Sequence, residues 1–84
     1  MPMTHVRVHL NGGTWTVTLS GEDTPQARFA RWDDAMDYAR GLAIENTDAI
    51  LEAEDPDGHF VVREEFVSDS IGVVQMRSFL QRIH

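Results

Sequence analysis

The chain has 84 residues, of which 42% are hydrophobic and 25% charged, and it contains no cysteine. That length holds one small domain with a single core, and the composition excludes wholesale disorder, disulfide staples, thiolate catalysis and cysteine-ligated zinc. A formal net charge of -7, with 14 acids against 7 arginines and no lysine, opposes the counterion release that dominates nucleic-acid affinity and favours protein partners or small ligands.

The first ten residues, MPMTHVRVHL, lack the basic start and apolar run of a secretory signal, and no window approaches the roughly 20 apolar residues of a membrane span, so a cytoplasmic protein is expected. HVRVHL (5–10) alternates strictly, with Val6, Val8 and Leu10 on one side and His5, Arg7 and His9 on the other, as a half-buried strand does. Asn11 to Gly13 turn the chain. TWTVTL then places Trp15, Val17 and Leu19 inward and Thr14, Thr16 and Thr18 outward, completing a hairpin. SGEDTP (20–25) is loop chemistry, and ARFARW after it supplies a short third strand with Phe29 inward.

From Asp34 to Asn46 the residues Ala35, Met36, Tyr38, Ala39, Leu42 and Ala43 recur at helical spacing. Asp33 fits the N-cap, and Asn46 is suited to a left-handed ending. DAILEA, DPDG and HFVVREEF read as a second hairpin, with Phe60 and Val62 inward and His59, Arg63 and Glu65 outward. The tail, SDSIGVVQMRSFLQRIH, reads as an amphipathic helix capped by Ser68 or Ser70, with Val73, Met76, Phe79, Leu80 and Ile83 forming one apolar stripe. Such a stripe packs on its own sheet or on another chain.

Three patterns invite a chemical reading. Asp33, Asp34 and Asp37 have the D-D-x-x-D spacing of some magnesium-diphosphate sites. On a helix with Ala35 at zero they lie at about 160°, 260° and 200°, while the apolar residues centre near 20°, so they point to water. The first two answer the helix dipole instead, and Asp37 is placed to pair with Arg40 one turn on. Asp55, Asp57, Gly58 and Glu64 match part of a calcium-binding loop, but its first ligand position is Ala53 and its flanks read as strands. His5 and His9 share a strand face at roughly 13 Å, too far apart to bind one zinc. With no P-loop, dinucleotide fingerprint or nucleophile elbow either, no catalytic residue, metal site or cofactor is expected, and the protein is read as a non-enzyme.

The residues G-x-W-x-V at Gly13 to Val17, the helix DDAMDYARGLAIEN at Asp33 to Asn46 and the turn at Asp57-Gly58 together resemble the small bacterial family called domain of unknown function 2188, over roughly residues 6–66. Members usually carry glutamates where Asp33 and Asp34 stand, an exchange that suits a dipole role and not metal geometry. The family implies no site residues, because its function is not known. At fold level the strands, helix and following strand are also similar to the partial ribonuclease-H-like domain of HicB-type antitoxins, which implies assembly and partner binding without catalysis.

The resulting expectation is an α+β domain in the order β-β-β-α-β-β-α. It has an antiparallel sheet of four to five strands, a helix packed on one face and a C-terminal amphipathic helix. Residues 1–66 form the α+β core and 67–84 the helix. Trp15, Val17, Leu19, Phe29, Tyr38, Leu42, Leu51, Phe60 and Val62 form the hydrophobic core. The expected function is protein-protein interaction or self-association through Val73, Met76, Phe79, Leu80 and Ile83. The alternative is an accessory nucleic-acid-binding domain that uses the hairpin face bearing His5, Arg7, His9, Thr14, Thr16 and Thr18.

Overall fold

A computed structural model describes residues 3–22, 24–46, 48–57, 60–68 and 74–82. The chain runs β1 (Thr4–Asn11), β2 (Thr14–Leu19), β3 (Ala27–Phe29), α1 (Trp32–Glu45), β4 (Ala49–Glu54), β5 (Phe60–Ser68) and β6 (Val74–Arg82). The strands form one six-stranded sheet in the order β3-β2-β1-β4-β5-β6, with α1 across β1, β2, β3 and β4 on one face.

The first hairpin follows from its turn. Asn11 pairs with Thr14 across Gly12 and Gly13, whose φ angles of 61° and 84° are those a tight turn between right-twisted strands requires. That register puts Val6, Val8, Leu19 and Val17 on one face.

The sheet is mixed, which corrects the antiparallel expectation. β1 pairs with β4 in parallel, from Thr4 opposite Ala49 to Val8 opposite Ala53. The physical reason is α1. A tight turn reverses the next strand, whereas a helix that carries the chain back over the sheet delivers the next strand in the same direction as the last. β3 is antiparallel to β2 and β2 to β1, so the strand entering after α1 runs with both β3 and β1.

The larger correction concerns the tail. Residues 74–82 form no helix: β6 is a nine-residue strand paired antiparallel with β5 from Phe60 opposite Arg82 to Ser68 opposite Val74. Leu, Met, Gln and Arg favour helix locally, but β5 presents a nine-residue row of backbone donors and acceptors that the following segment satisfies by adding a strand.

Helix ends also differ from expectation. The N-cap is Arg31, with no side-chain capping bond, and Asp33 and Asp34 occupy the first turn, where the dipole favours them. Asn46 closes the other end at φ -112°, outside the left-handed region. Its side-chain Nδ2 donates to the carbonyl of Leu42 at 2.8 Å, satisfying a terminal acceptor without a left-handed residue.

Small residues line the seat of the helix. Ala35, Ala39 and Ala43 recur every fourth residue and are fully buried, with Met36, among Val6, Val8, Val17, Ala49, Leu51 and Ala53. Trp15 and Val62 complete the expected core, Leu19, Phe29 and Leu42 pack partly against it, and Phe66 joins it. Tyr38 and Leu10 do not belong to it. Tyr38 stands at the helix rim with its ring 5.5 Å from that of Phe29, and Leu10 is half-exposed beside the hairpin turn. The side chain of Phe60 lies outside the described residues. Replacing Ala39 with Leu wedges three extra carbons between helix and sheet and is expected to cost about 1–3 kcal/mol, read as a lower urea midpoint at unchanged slope.

Two polar contacts cross the layers: Trp32 Nε1 of α1 donates to the carbonyl of Glu54 in β4 at 2.7 Å, and Arg40 pairs with Glu64. Glu64 alternates with Val62 and Phe66 on the helix side, and its side chain is only 2% exposed. Arg40 of α1 reaches it with two donors, Nε to Oε1 at 2.9 Å and Nη2 to Oε2 at 2.7 Å. The expected pairing of Arg40 with Asp37 gives way to this fork, which matches the carboxylate geometrically. Hydrogen bonding to Glu64 raises the Arg40 pKa. Burial opposes the rise, and the charges of Glu64 and Asp37 add to it. A raised cationic pKa stabilises fully below the unfolded value and is lost only as pH climbs through the folded one, so the Arg40 contribution stays constant through neutral and mildly alkaline pH. Truncating the two partners should not be equivalent. Arg40→Met strands a buried carboxylate and is expected to cost about 3 kcal/mol. Glu64→Leu costs less, because the Arg40 side chain is 39% exposed and turns to water, and the double replacement recovers most of the loss. A double-mutant cycle in urea measures all three.

Candidate interaction surfaces

The face of the sheet opposite α1 has no second layer among the described residues. Register places His5, Arg7 and His9 there with Thr14, Thr16 and Thr18, so the residues of the expected hairpin face are brought together. They are not alone. Thr18, Arg7, Glu52, Arg63 and Phe79 form one row across five strands. His5 Nδ1 lies 3.9 Å from Glu52 Oε1, and Arg63 Nε lies 3.6 Å from Glu65 Oε2. The basic groups of β1 and β5 therefore face acids of β4 and β5, and this face is a mixed charge ladder.

A shallow cavity of about 250 Å³ opens on this face beside Arg7, His9, Glu52, Glu54 and Val61. It is below the usual size of a ligand pocket, roughly 300–1,000 Å³, and it offers both signs of charge. Thr16, read as outward-facing and available, is 1% exposed and its Oγ1 has no hydrogen-bond partner. It sits between His9 and Arg28 in register, whose longer side chains flank it. Thr14 Oγ1 donates to the carbonyl of Asn11 at 3.0 Å, within the hairpin itself.

The carboxylate patterns are positioned for structure. Asp33, Asp34 and Asp37 are exposed on α1, and Asp33 stands 3.7 Å from Arg31. Glu64, which would be the last ligand of the calcium-like loop, is directed at Arg40 between the layers. Among the described residues, no three His, Asp or Glu groups are grouped as metal ligands.

The second surface is the outer edge. Val73 and Ile83, two of the five residues of the expected apolar stripe, lie outside the described residues. Met76 and Phe79 are 52% and 49% exposed on β6. As strand residues three apart they project to opposite faces. Met76 pairs with Phe66 on the helix side, and Phe79 pairs with Arg63 on the open side. The single stripe through Met76, Phe79 and Leu80 thus dissolves, because a period of two replaces the helical one. What the tail provides is a strand whose outer backbone edge has no neighbour in the sheet among the described residues. The signal for it in the sequence is the alternation of Val74, Met76 and Leu80, interrupted by Ser78.

No described helix is long and apolar enough to cross a membrane. Neither curated proteins nor solved structures match the chain. A family profile does match, that of uncharacterised proteins conserved in bacteria, over residues 4–65. The matched stretch takes in β1 through β4 and the first six of the nine residues of β5, including the G-x-W-x-V strand, α1 and both partners of the Arg40–Glu64 pair. The chain therefore belongs to the bacterial family called domain of unknown function 2188.

Proposed function

We propose that the chain is a non-catalytic interaction module of the bacterial cytoplasm, which engages another polypeptide by adding a strand to β6. The observation that carries this reading is the nine-residue edge strand, with Met76 and Phe79 each about half exposed on its two sides. An unpaired strand edge offers a row of backbone donors and acceptors, and apolar side chains beside it supply the affinity that backbone bonds alone lack. The absence of cysteine suits a reducing compartment.

The nucleic-acid reading of the hairpin face has less support. Arg7, Arg28 and Arg63 are matched on that face by Glu52, Glu54 and Glu65, whereas a phosphate-binding surface gathers cations with few acids between them.

Replacing both Met76 and Phe79 by Lys puts charge on the edge without touching the core. The tagged variant, expressed in the native host, is expected to lose the chains that co-purify with the unaltered protein, untagged copies of itself included. Its urea midpoint should move little, since exposed substitutions usually change stability by less than about 0.5 kcal/mol. If the variant keeps the same companions, or the unaltered protein has none, the reading is wrong.

A further inference from the structure

The two edges of the sheet are built differently. β3 is 3 residues long, and a short strand is one way proteins blunt an edge. β6 is three times that length, pairs with β5 without interruption over all nine positions, and contains no proline or lysine. It has no bulge to twist it away, and the only charged residues along it are Arg77 and Arg82.

We infer that the strand added to β6 is β6 of a second copy, antiparallel and centred on a two-fold axis at Ser78. This rests on the strand-addition reading above and names its partner. A two-fold axis perpendicular to the sheet keeps each face continuous, so residues of the same face must meet. Centred on Ser78, the strand VQMRSFLQR pairs Val74 with Arg82, Gln75 with Gln81, Met76 with Leu80 and Arg77 with Phe79, and Ser78 meets itself. All nine positions are used. Position 76 falls opposite position 80 and position 75 opposite position 81, and no two residues of like charge share a register pair. The two neighbouring registers each lose two pairs from the ladder and place either Arg77 on Arg77 or Phe79 on Phe79 at the axis. The first is repulsive, since like charges directly opposite destabilise a ladder.

The partner is chosen by register, and local charge only leaves a second copy admissible. β6 carries two arginines and no acid, and Arg77 already has Glu65 opposite it in β5, so the edge does not call for a strongly charged partner. The dimer is a twelve-stranded sheet with both copies of α1 on one face, within the range of large open sheets. A contact made by one strand pair is at the small end of stable interfaces, which implies a dimer that dissociates on dilution.

The native chain lacks cysteine, so engineered thiols report the register without background. Ser78→Cys places two thiols at the axis, where facing strand positions fall within disulfide reach. It is expected to form a cross-linked dimer on mild oxidation. Gln75→Cys alone should not, because its own copy lies six residues away along the ladder, roughly 20 Å. A mixture of Gln75→Cys and Gln81→Cys chains should cross-link. Sedimentation of the unaltered chain gives an independent readout: a concentration-dependent dimer, with Met76→Lys/Phe79→Lys raising the dissociation constant at least tenfold. A chain that sediments as a monomer at every concentration overturns self-pairing. So does faster cross-linking of Gln75→Cys with itself than with Gln81→Cys. If self-pairing fails but the Lys variant still loses foreign companions from cells, strand addition stands with another partner. If both fail, both readings fall.

Discussion

The close seat of α1 on the parallel pair β1 and β4 is the constraint on which the rest of the molecule depends. Ala35, Ala39 and Ala43 present almost no side-chain bulk toward the sheet, and Ala49 and Ala53 of β4 answer them. Val6, Val8 and Leu51 are fully buried between helix and sheet with them. The position of the helix also decides how the sheet is shared. A 14-residue helix is about 21 Å long, and this one lies over the strands from β3 to β4. β5 lies at its margin and β6 at the far edge of the sheet.

That margin explains the Arg40–Glu64 fork. A strand at the helix border has inward positions that are buried yet within reach of side chains from the helix's wetter flank. Val62 and Phe66 fill two of them, and Glu64 fills the third because Arg40 approaches from the helix with its guanidinium partly in water. The pair contributes less as an energy source than as a fixing device. A carboxylate buried on that face tolerates only the helix position and strand register that bring Arg40 to it. The polar contact thus sets the relation of β5 to α1 where apolar packing is running out.

How much of this was legible in the sequence varied with the kind of signal. Local chemistry was readable: strict alternation in HVRVHL and TWTVTL, the glycine pair between them, and the alanine spacing of the helix all report directly on their own segments. Direction was not. Whether β4 runs parallel or antiparallel to β1 depends on which strand it joins after the crossover, and no residue of AILEAE encodes that choice. Glu64 was legible in principle, since FVVREEF places it in step with Phe60, Val62 and Phe66, yet its partner lies 24 residues away on another element. For the hairpin face, residue identity put the basic groups on one side correctly. Only the register brought Glu52 and Glu54 beside them, and only packing buried Thr16.

The tail was the hardest segment because its two periods are nearly balanced. Apolar residues at 73, 76, 79, 80 and 83 fit a helix, while 74, 76 and 80 fit a strand with one polar interruption. Such a sequence takes its conformation from its surroundings, and the open side of β5 supplies one. The same ambiguity bears on the outer edge. An unguarded edge on a chain of high net charge is less hazardous than on a neutral one, because copies at -7 repel at a distance and random sticking is suppressed. For the proposed self-pairing, that repulsion has to be met by the full nine-residue ladder, in a register that keeps arginine from arginine. On that proposal the acids elsewhere set the general repulsion and the few residues of β6 the specific attraction, so that selectivity comes from the balance of the two.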